Sequence, residues 1–251
     1  MDSRVKLLLD IVYLVALFVT QSFTGLAAGL LFMTLCYIIS GIKLIMILKS
    51  IKPILPLMLI TAVLNMLFIG GEKPLFQWWI ISIYPEGLRM SGFMLLRIIA
   101  LIVGMSLLTY TTSPIMLTDA IERLMSPLKK LRFPVHELSM MMTIALRFIP
   151  TLVEETEKIM SAQKARGAEL DSGNLFQKAK ALVPILIPLF VSSFKRANEL
   201  ATAMECRCYR GGEGRTRLRQ LKIAPRDIIA ALIMLAFLAG VIELNFFPVI
   251  P

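Results

Sequence analysis

One polar stretch, Ser113 to Arg226, constrains this chain more than any other feature, because it is set between apolar segments long enough to cross a bilayer. It carries two similar tripeptides, Ala165-Arg166-Gly167 and Cys206-Arg207-Cys208, each at the end of a long helical pattern. A polar section hung from membrane anchors reads as a device that passes force to partners, and its two arginines read as two docking points.

Composition supports the membrane half of that reading. Hydrophobic residues make up 57% of the chain and the mean hydropathy is +0.76, where soluble domains run nearer about 45–50% apolar. The charged residues, 18% of the total, are clustered, which points to an integral membrane protein with one substantial polar section. The net charge of +10 would suggest nucleic acid in a soluble protein. Here retention of Lys and Arg on the cytoplasmic side explains most of it, and no nucleic-acid partner is expected. Three cysteines make no disulfide framework, and a single Cys-x-Cys falls short of the roughly four ligands of a zinc site. His136 is the only histidine. Arg4 and Lys6 before an apolar run imitate a signal peptide, but Asp10 interrupts the run, so a retained membrane helix is expected.

The fold class expected is an all-α integral membrane protein, with about five transmembrane helices plus a cytoplasmic coupling domain of three helices. The spans are Leu7–Thr20, Gly25–Ile42, Pro53–Gly71, Gly87–Thr111 and Asp227–Phe247. A crossing needs about 20 residues, so the first two are short and could merge into a re-entrant hairpin. The domains follow: a membrane region over residues 1–112, a coupling domain over 113–226 and a last membrane helix over 227–251. Arg4, Lys6, Lys43, Lys49, Lys52 and most basic residues of 113–226 fall on one side if the N-terminus is cytoplasmic. The opposite loop, Glu72–Glu86, holds Lys73 as its only basic residue, with Trp78, Trp79 and Tyr84 as an interfacial belt. Arg97, inside the fourth span, either makes a polar contact within the bundle or snorkels to the interface.

The polar section divides into three helical patterns. Pro114–Leu131 follows Ser113, an N-cap with Pro at the first helical position. Val135–Arg166 places Leu138, Met142, Ala145, Ile149, Leu152 and Ile159 on one stripe. Leu175–Cys208 repeats this with Ala179, Leu182, Leu186, Phe190, Phe194, Ala197, Leu200 and Met204, and Pro184 and Pro188 should kink it. Its apolar run from Ala181 to Val191 is a rival sixth span, but at about 14 residues it suits an interfacial or buried helix better. The basic loop from Arg210 to Lys222 is either a lipid-headgroup contact or a plain solvated loop.

Two readings of the tripeptides stand side by side. A cation in the last turn complements the helix dipole, and glycine just beyond stops the helix. Alternatively each arginine projects from a rigid end into an acidic groove on a partner, where its planar fork pairs with a carboxylate.

At these residues the sequence resembles the transmembrane T component of energy-coupling factor transporters, the EcfT/CbiQ-like family. The matching stretches are Leu146-Arg147-Phe148-Ile149-Pro150, Ala162-Gln163-Lys164-Ala165-Arg166-Gly167-Ala168 and Ala203-Met204-Glu205-Cys206-Arg207-Cys208-Tyr209-Arg210-Gly211-Gly212. The opening Asp2-Ser3-Arg4-Val5-Lys6 is similar to the family's, with Ser3 in place of proline. The resemblance implies a subunit in the cell membrane that joins two cytoplasmic ABC-type ATPases to a membrane-embedded, substrate-binding S component for import of vitamins or metal ions. It implies that Ala165, Arg166 and Gly167 form one ATPase contact and Cys206, Arg207 and Cys208 the other. The cysteines depart from the family's alanine and glycine. The chain holds no Gly-x-x-x-x-Gly-Lys-Ser/Thr loop, so no cofactor and no catalysis are expected here, and ATP would be handled by the partners. The competing readings are a conventional ABC permease half, expected to offer one coupling helix per chain, and a membrane enzyme, for which Asp10, Asp227 and Glu243 are too scattered. Met140-Met141-Met142 either adapts to several interchangeable S components or is ordinary packing.

Overall fold

A computed structural model describes residues 1–43, 45–71, 76–78, 81–127, 133–168, 174–211 and 224–246. In chain order the helices are α1 (Ser3–Val19), α2 (Phe23–Ile39), α3 (Ile45–Ile51), a 3₁₀ turn (Lys52–Ile54), α4 (Leu55–Phe68), α5 (Pro85–Thr111), α6 (Pro114–Leu124), α7 (Val135–Ala165), α8 (Leu175–Cys206) and α9 (Pro225–Phe246). A short antiparallel ladder of β1 (Phe76–Trp78) and β2 (Ile81–Ile83) lies between α4 and α5. This hairpin is the one departure from an all-helical chain among the described residues, and it falls in the segment read from sequence as an aromatic loop. Lys73 and Trp79 lie outside the described residues. The chain divides into two compact units, Met1–Ala120 with Gln220–Pro251, and Ile121–Arg219.

In the first unit local chemistry sets the helix starts. Asp2, in extended conformation, accepts the Arg4 backbone N–H at 2.9 Å and so caps α1. The Ser22 hydroxyl accepts from Gly25 N–H at 3.3 Å and caps α2. The two short apolar runs are separate helices of 17 residues each, joined through Thr20, Gln21 and Ser22. The third span begins at Ile45, ahead of the expected Pro53, and α3, the 3₁₀ turn and α4 form one 24-residue helical stretch to Phe68. Pro53 and Pro56 sit in first-turn positions, where a missing N–H costs no helical hydrogen bond. Lys49 and Lys52 consequently lie within this stretch and not in a loop.

Side-chain contacts orient the helices. Helix α1 runs antiparallel to α5: Lys6 Nζ donates to the Thr111 carbonyl at 2.9 Å at one end, Tyr13 OH donates to the Ala100 carbonyl at 3.2 Å midway, and the Arg97 guanidinium donates to the Thr20 carbonyl at the other end. Helix α2 runs parallel to α5, with Phe23 edge-on to Phe93 at 5.3 Å and Tyr37 OH donating to the Val103 carbonyl at 3.2 Å. Helix α9 runs parallel to α1, because Asp2 N–H donates to Asp227 Oδ1 at 3.1 Å while Asn245 Nδ2 donates to the Val19 carbonyl at 2.8 Å. The start of α1, the end of α5 and the start of α9 thus share one face of the bundle. The segment between α5 and α9 leaves and returns at that face, so it crosses a membrane an even number of times. By length and hydropathy α8 qualifies as a span, but it is the only described helix of that segment that does.

The core of this unit gathers Tyr13, Leu17, Leu26, Met33, Tyr37, Phe93, Ala100, Val103 and Met234. Both tyrosines are fully buried, and both hydroxyls are satisfied by helix carbonyls. Arg97 makes the intrabundle contact of the two readings offered above: beside its bond to Thr20 it lies over the Phe93 ring at 4.6 Å. Close approach of α1 to α5 depends on Gly104, where a Cβ would meet Tyr13 Cε1 at 2.5 Å, whereas at Gly92 on the same helix a Cβ would meet nothing within 4 Å. Gly104→Ala is expected to destabilise the bundle by about 1–3 kcal/mol through overpacking. Gly92→Ala should be neutral or stabilising by up to about 1 kcal/mol. Thermal unfolding of the detergent-purified variants checks this, and equal midpoints for the two would contradict the packing described.

Candidate docking site at two helix ends

Helix α6 begins as its sequence predicts, with the Ser113 hydroxyl accepting the Met116 N–H at 3.4 Å. It ends at Leu124, and Ser126 and Pro127 follow in a 3₁₀ turn; the expected end at Leu131 lies outside the described residues. In the second unit Glu122 accepts the Ser139 hydroxyl at 2.8 Å and lies 3.4 Å from His136 Nδ1, which ties the end of α6 to the first turns of α7.

Helices α7 and α8, of 31 and 32 residues, form the body of this unit. Helix α8 continues through Pro184 and Pro188 without a break in its assignment. Glu155 on α7 accepts the Ser192 hydroxyl of α8 and forms an ion pair with Arg196 at 2.7 Å. Tyr209 OH, just past α8, donates to Met140 Sδ of α7 at 3.1 Å. Later residues of one helix meet earlier residues of the other, so the pair is antiparallel. The Arg207 end lies level with Met140, and Arg166 lies roughly 35 Å further along at 1.5 Å per residue.

Both ends close with the same hydrogen-bond pattern. Arg166 is the C-cap of α7; Gly167 N–H donates to the Lys164 carbonyl at 3.0 Å and Ala168 N–H to the Gln163 carbonyl at 3.0 Å. Arg207 is the C-cap of α8; Cys208 N–H donates to the Glu205 carbonyl at 2.8 Å and Tyr209 N–H to the Met204 carbonyl at 3.0 Å. These pairs define a Schellman motif, which requires left-handed backbone at the residue after the cap. Gly167 supplies it at φ +85°, and Cys208 supplies it at φ +55°, the only non-glycine with positive φ among the described residues. Glycine would adopt this geometry freely, whereas a Cβ makes it costly. The second helix is thus stopped by Cys208 and not by the later Gly211.

Ala165, Arg166, Gly167, Cys206, Arg207 and Cys208 are all exposed. Neither arginine makes an ion pair or side-chain hydrogen bond among the described residues. The helix pair does not bring the two tripeptides together; it holds them at its opposite ends. Cys206 and Cys208 do not converge: Cys206 lies on the α8 face of Phe194 and Thr202, and Cys208 faces Met140 and Met204. The expected apolar stripes are uncovered to a large extent. Met142, Ile149, Leu182, Leu186, Phe190 and Phe194 are exposed, with Phe194 at 69%, while polar Ser192 and Arg196 make the named contacts to α7.

A family model described as CbiQ, cobalt transport protein, matches residues 1–218. The energy-coupling factor transporter transmembrane protein EcfT of Clostridium kluyveri is 58% identical over 233 residues, covering 92% of this chain and 86% of the relative. The protein of the same name from Ruminiclostridium cellulolyticum is 46% identical over 245 residues, covering 98% and 91%. The chain belongs to the CbiQ/EcfT family. It is therefore a multi-pass membrane protein and the transmembrane component of an energy-coupling factor transporter. Within this family member, the sequence reading missed three features: the left-handed Cys208, the Glu155–Arg196 contact and the buried tie from Asp2 to Asp227. None of the three left a signal in the sequence: cysteine has no preference for left-handed backbone, and the other two join residues distant in sequence.

Cys208→Gly should keep the cap and relieve about 1 kcal/mol of backbone strain, while Gly167→Ala should cost a similar amount. Amide hydrogen exchange at residues 167–168 and 208–209 reads both directly. Slower exchange after Cys208→Gly and faster exchange after Gly167→Ala are the expected results.

Proposed function

We propose that the chain is a non-catalytic coupling subunit in the cell membrane. In this reading residues 1–112 and 227–251 anchor it, and residues 113–226 lie in the cytoplasm with the N-terminus. Two ABC-type ATPases dock at Ala165-Arg166-Gly167 and Cys206-Arg207-Cys208, and the motion they generate passes through α7 and α8 to an S component that holds the substrate. No cofactor is bound by this chain; ATP belongs to the ATPases. The observation that carries the reading is the pair of identically capped, exposed arginines, without a side-chain partner among the described residues, at opposite ends of one helix pair. An arginine serving only its own helix dipole needs no such second copy. A conventional ABC permease half, expected to offer one coupling helix, accounts for one end only.

Charge supports the orientation. Arg4, Lys6 and Lys43 fall at or near the face where the 113–226 segment leaves and returns, and that segment is itself strongly basic. The uncovered apolar stripes of α7 and α8 supply a surface for the S component, and exposed Met141 and Met142 lie beside Leu138 and Ala145. Methionine adapts to partners of different shape. Replacing Met141 and Met142 by Leu is expected to depress uptake of some substrates more than others; equal uptake of every substrate would remove the idea of interchangeable S components on this surface.

The docking test is co-purification with candidate ATPases, with ATP-driven uptake measured in parallel. Truncating one partner of a desolvated charge pair costs about 2–5 kcal/mol. Arg166→Ala and Arg207→Ala should each weaken assembly at least tenfold, and the double variant should lose uptake. A double variant that assembles and transports normally would reduce both arginines to helix caps.

A further inference from the structure

At the Arg207 end the antiparallel helices leave a cleft of about 550 Å³. Met140 and Ile144 of α7 and Leu200 and Met204 of α8 form its apolar wall, and Arg207 and Arg210 stand at its rim. Its shape is fixed by bonds already described: Tyr209 OH reaches across to Met140 Sδ, and the Schellman turn sets Cys208 against the cleft.

We propose that this cleft is a socket that receives a bulky apolar side chain flanked by a carboxylate, presented by the ATPase that engages the Arg207 end. An apolar wall with an all-cationic rim selects for that combination: the side chain is desolvated against the sulfur-rich wall, and the carboxylate meets a guanidinium fork. Docking at this end is then reciprocal. Arg207 enters the partner while the partner enters the chain, and the cleft closes the gap between α7 and α8 that a moving partner would otherwise deform. The proposal rests on the coupling-subunit reading and adds to it a second, inward contact.

Thiol footprinting on the assembled complex tests it, because the two cysteines face different surfaces. Cys36→Ser is combined with either Cys206→Ser or Cys208→Ser, so that one of the two site thiols remains, and labelling by a small maleimide is timed with and without the ATPases. The expected result is at least tenfold slower labelling of Cys208 in the complex, with protection at Cys208 at least threefold greater than at Cys206. Ile144→Trp, which fills the cleft and leaves both arginines in place, should raise the apparent Kd for the ATPases at least tenfold, and Arg210→Glu should do the same while Arg210→Lys retains most binding. Equal protection of both thiols, or unchanged affinity for folded Ile144→Trp, overturns the socket and leaves docking by arginine intact. Protection of Cys208 by anionic phospholipid vesicles alone also overturns it, in favour of a lipid headgroup. Failure of the unsubstituted chain to retain any ATPase overturns the coupling-subunit reading as well.

Discussion

The buried carboxylate of Asp227 is the contact on which the bundle's arrangement turns. It is 1% exposed, and it accepts the Asp2 backbone N–H at 3.1 Å and the Ala224 N–H at 2.8 Å. One oxygen thus holds the chain's beginning and the other holds the first turn of α9. Asp2 in turn caps α1 and pairs with Arg4 at 2.8 Å, and Lys6 satisfies the Thr111 carbonyl at the end of α5. Helix ends leave backbone donors and acceptors without intrahelical partners, and near lipid these need partners from the protein. Here three such ends are satisfied by one another at a single face. That closure is why the inserted segment must start and finish on the same side, and it explains the physical sense of the Asp-Ser-Arg-Val-Lys opening.

A lever transmits force only if its ends are rigid and its length is braced. The Schellman turns supply the first condition: the last carbonyls of α7 and α8 are bonded, so neither arginine sits on a fraying turn. Glu155 supplies the second, joining the helices through Ser192 and Arg196 away from either end. With side chains 22% and 33% exposed for Glu155 and Arg196, this ion pair is partly solvated and contributes on the order of 1 kcal/mol. Its value is therefore positional: it sets which residues of α7 and α8 face each other, and hence where Arg207 and Arg166 stand.

Regular periodicity made the helices legible. Long α7 and α8 patterns, the Ser113-Pro114 start and the last membrane helix are all close to where their residues place them. Boundaries failed where proline carries two meanings. Pro53 and Pro56 were read as the start of a span, and they do open the 3₁₀ turn and α4, but α3 precedes them in the same helical stretch. The apolar stripes were recognised correctly as stripes, but apolarity does not say what it faces. On α8 the polar Ser192 and Arg196 contact α7 while Phe190 and Phe194 are exposed. The two arginine tripeptides were legible as motifs. Their geometry was not, since a cysteine at positive φ carries no propensity signal and is set by the hydrogen bonds of the turn around it.

An exposed apolar stripe on a helix that also carries Lys178, Lys180 and Lys195 has a restricted set of environments. Cations beside an apolar face are the composition of a helix lying in the headgroup region on the side where basic residues are retained. The apolar residues of α8 thin out after Phe194, and Arg207 follows about 20 Å further along at 1.5 Å per residue. One helix can therefore rest its first half against lipid or a membrane-embedded partner while its far end stands clear of the bilayer. This division is what the proposed coupling role requires, because a displacement imposed at the arginine end reaches the membrane through a single continuous element.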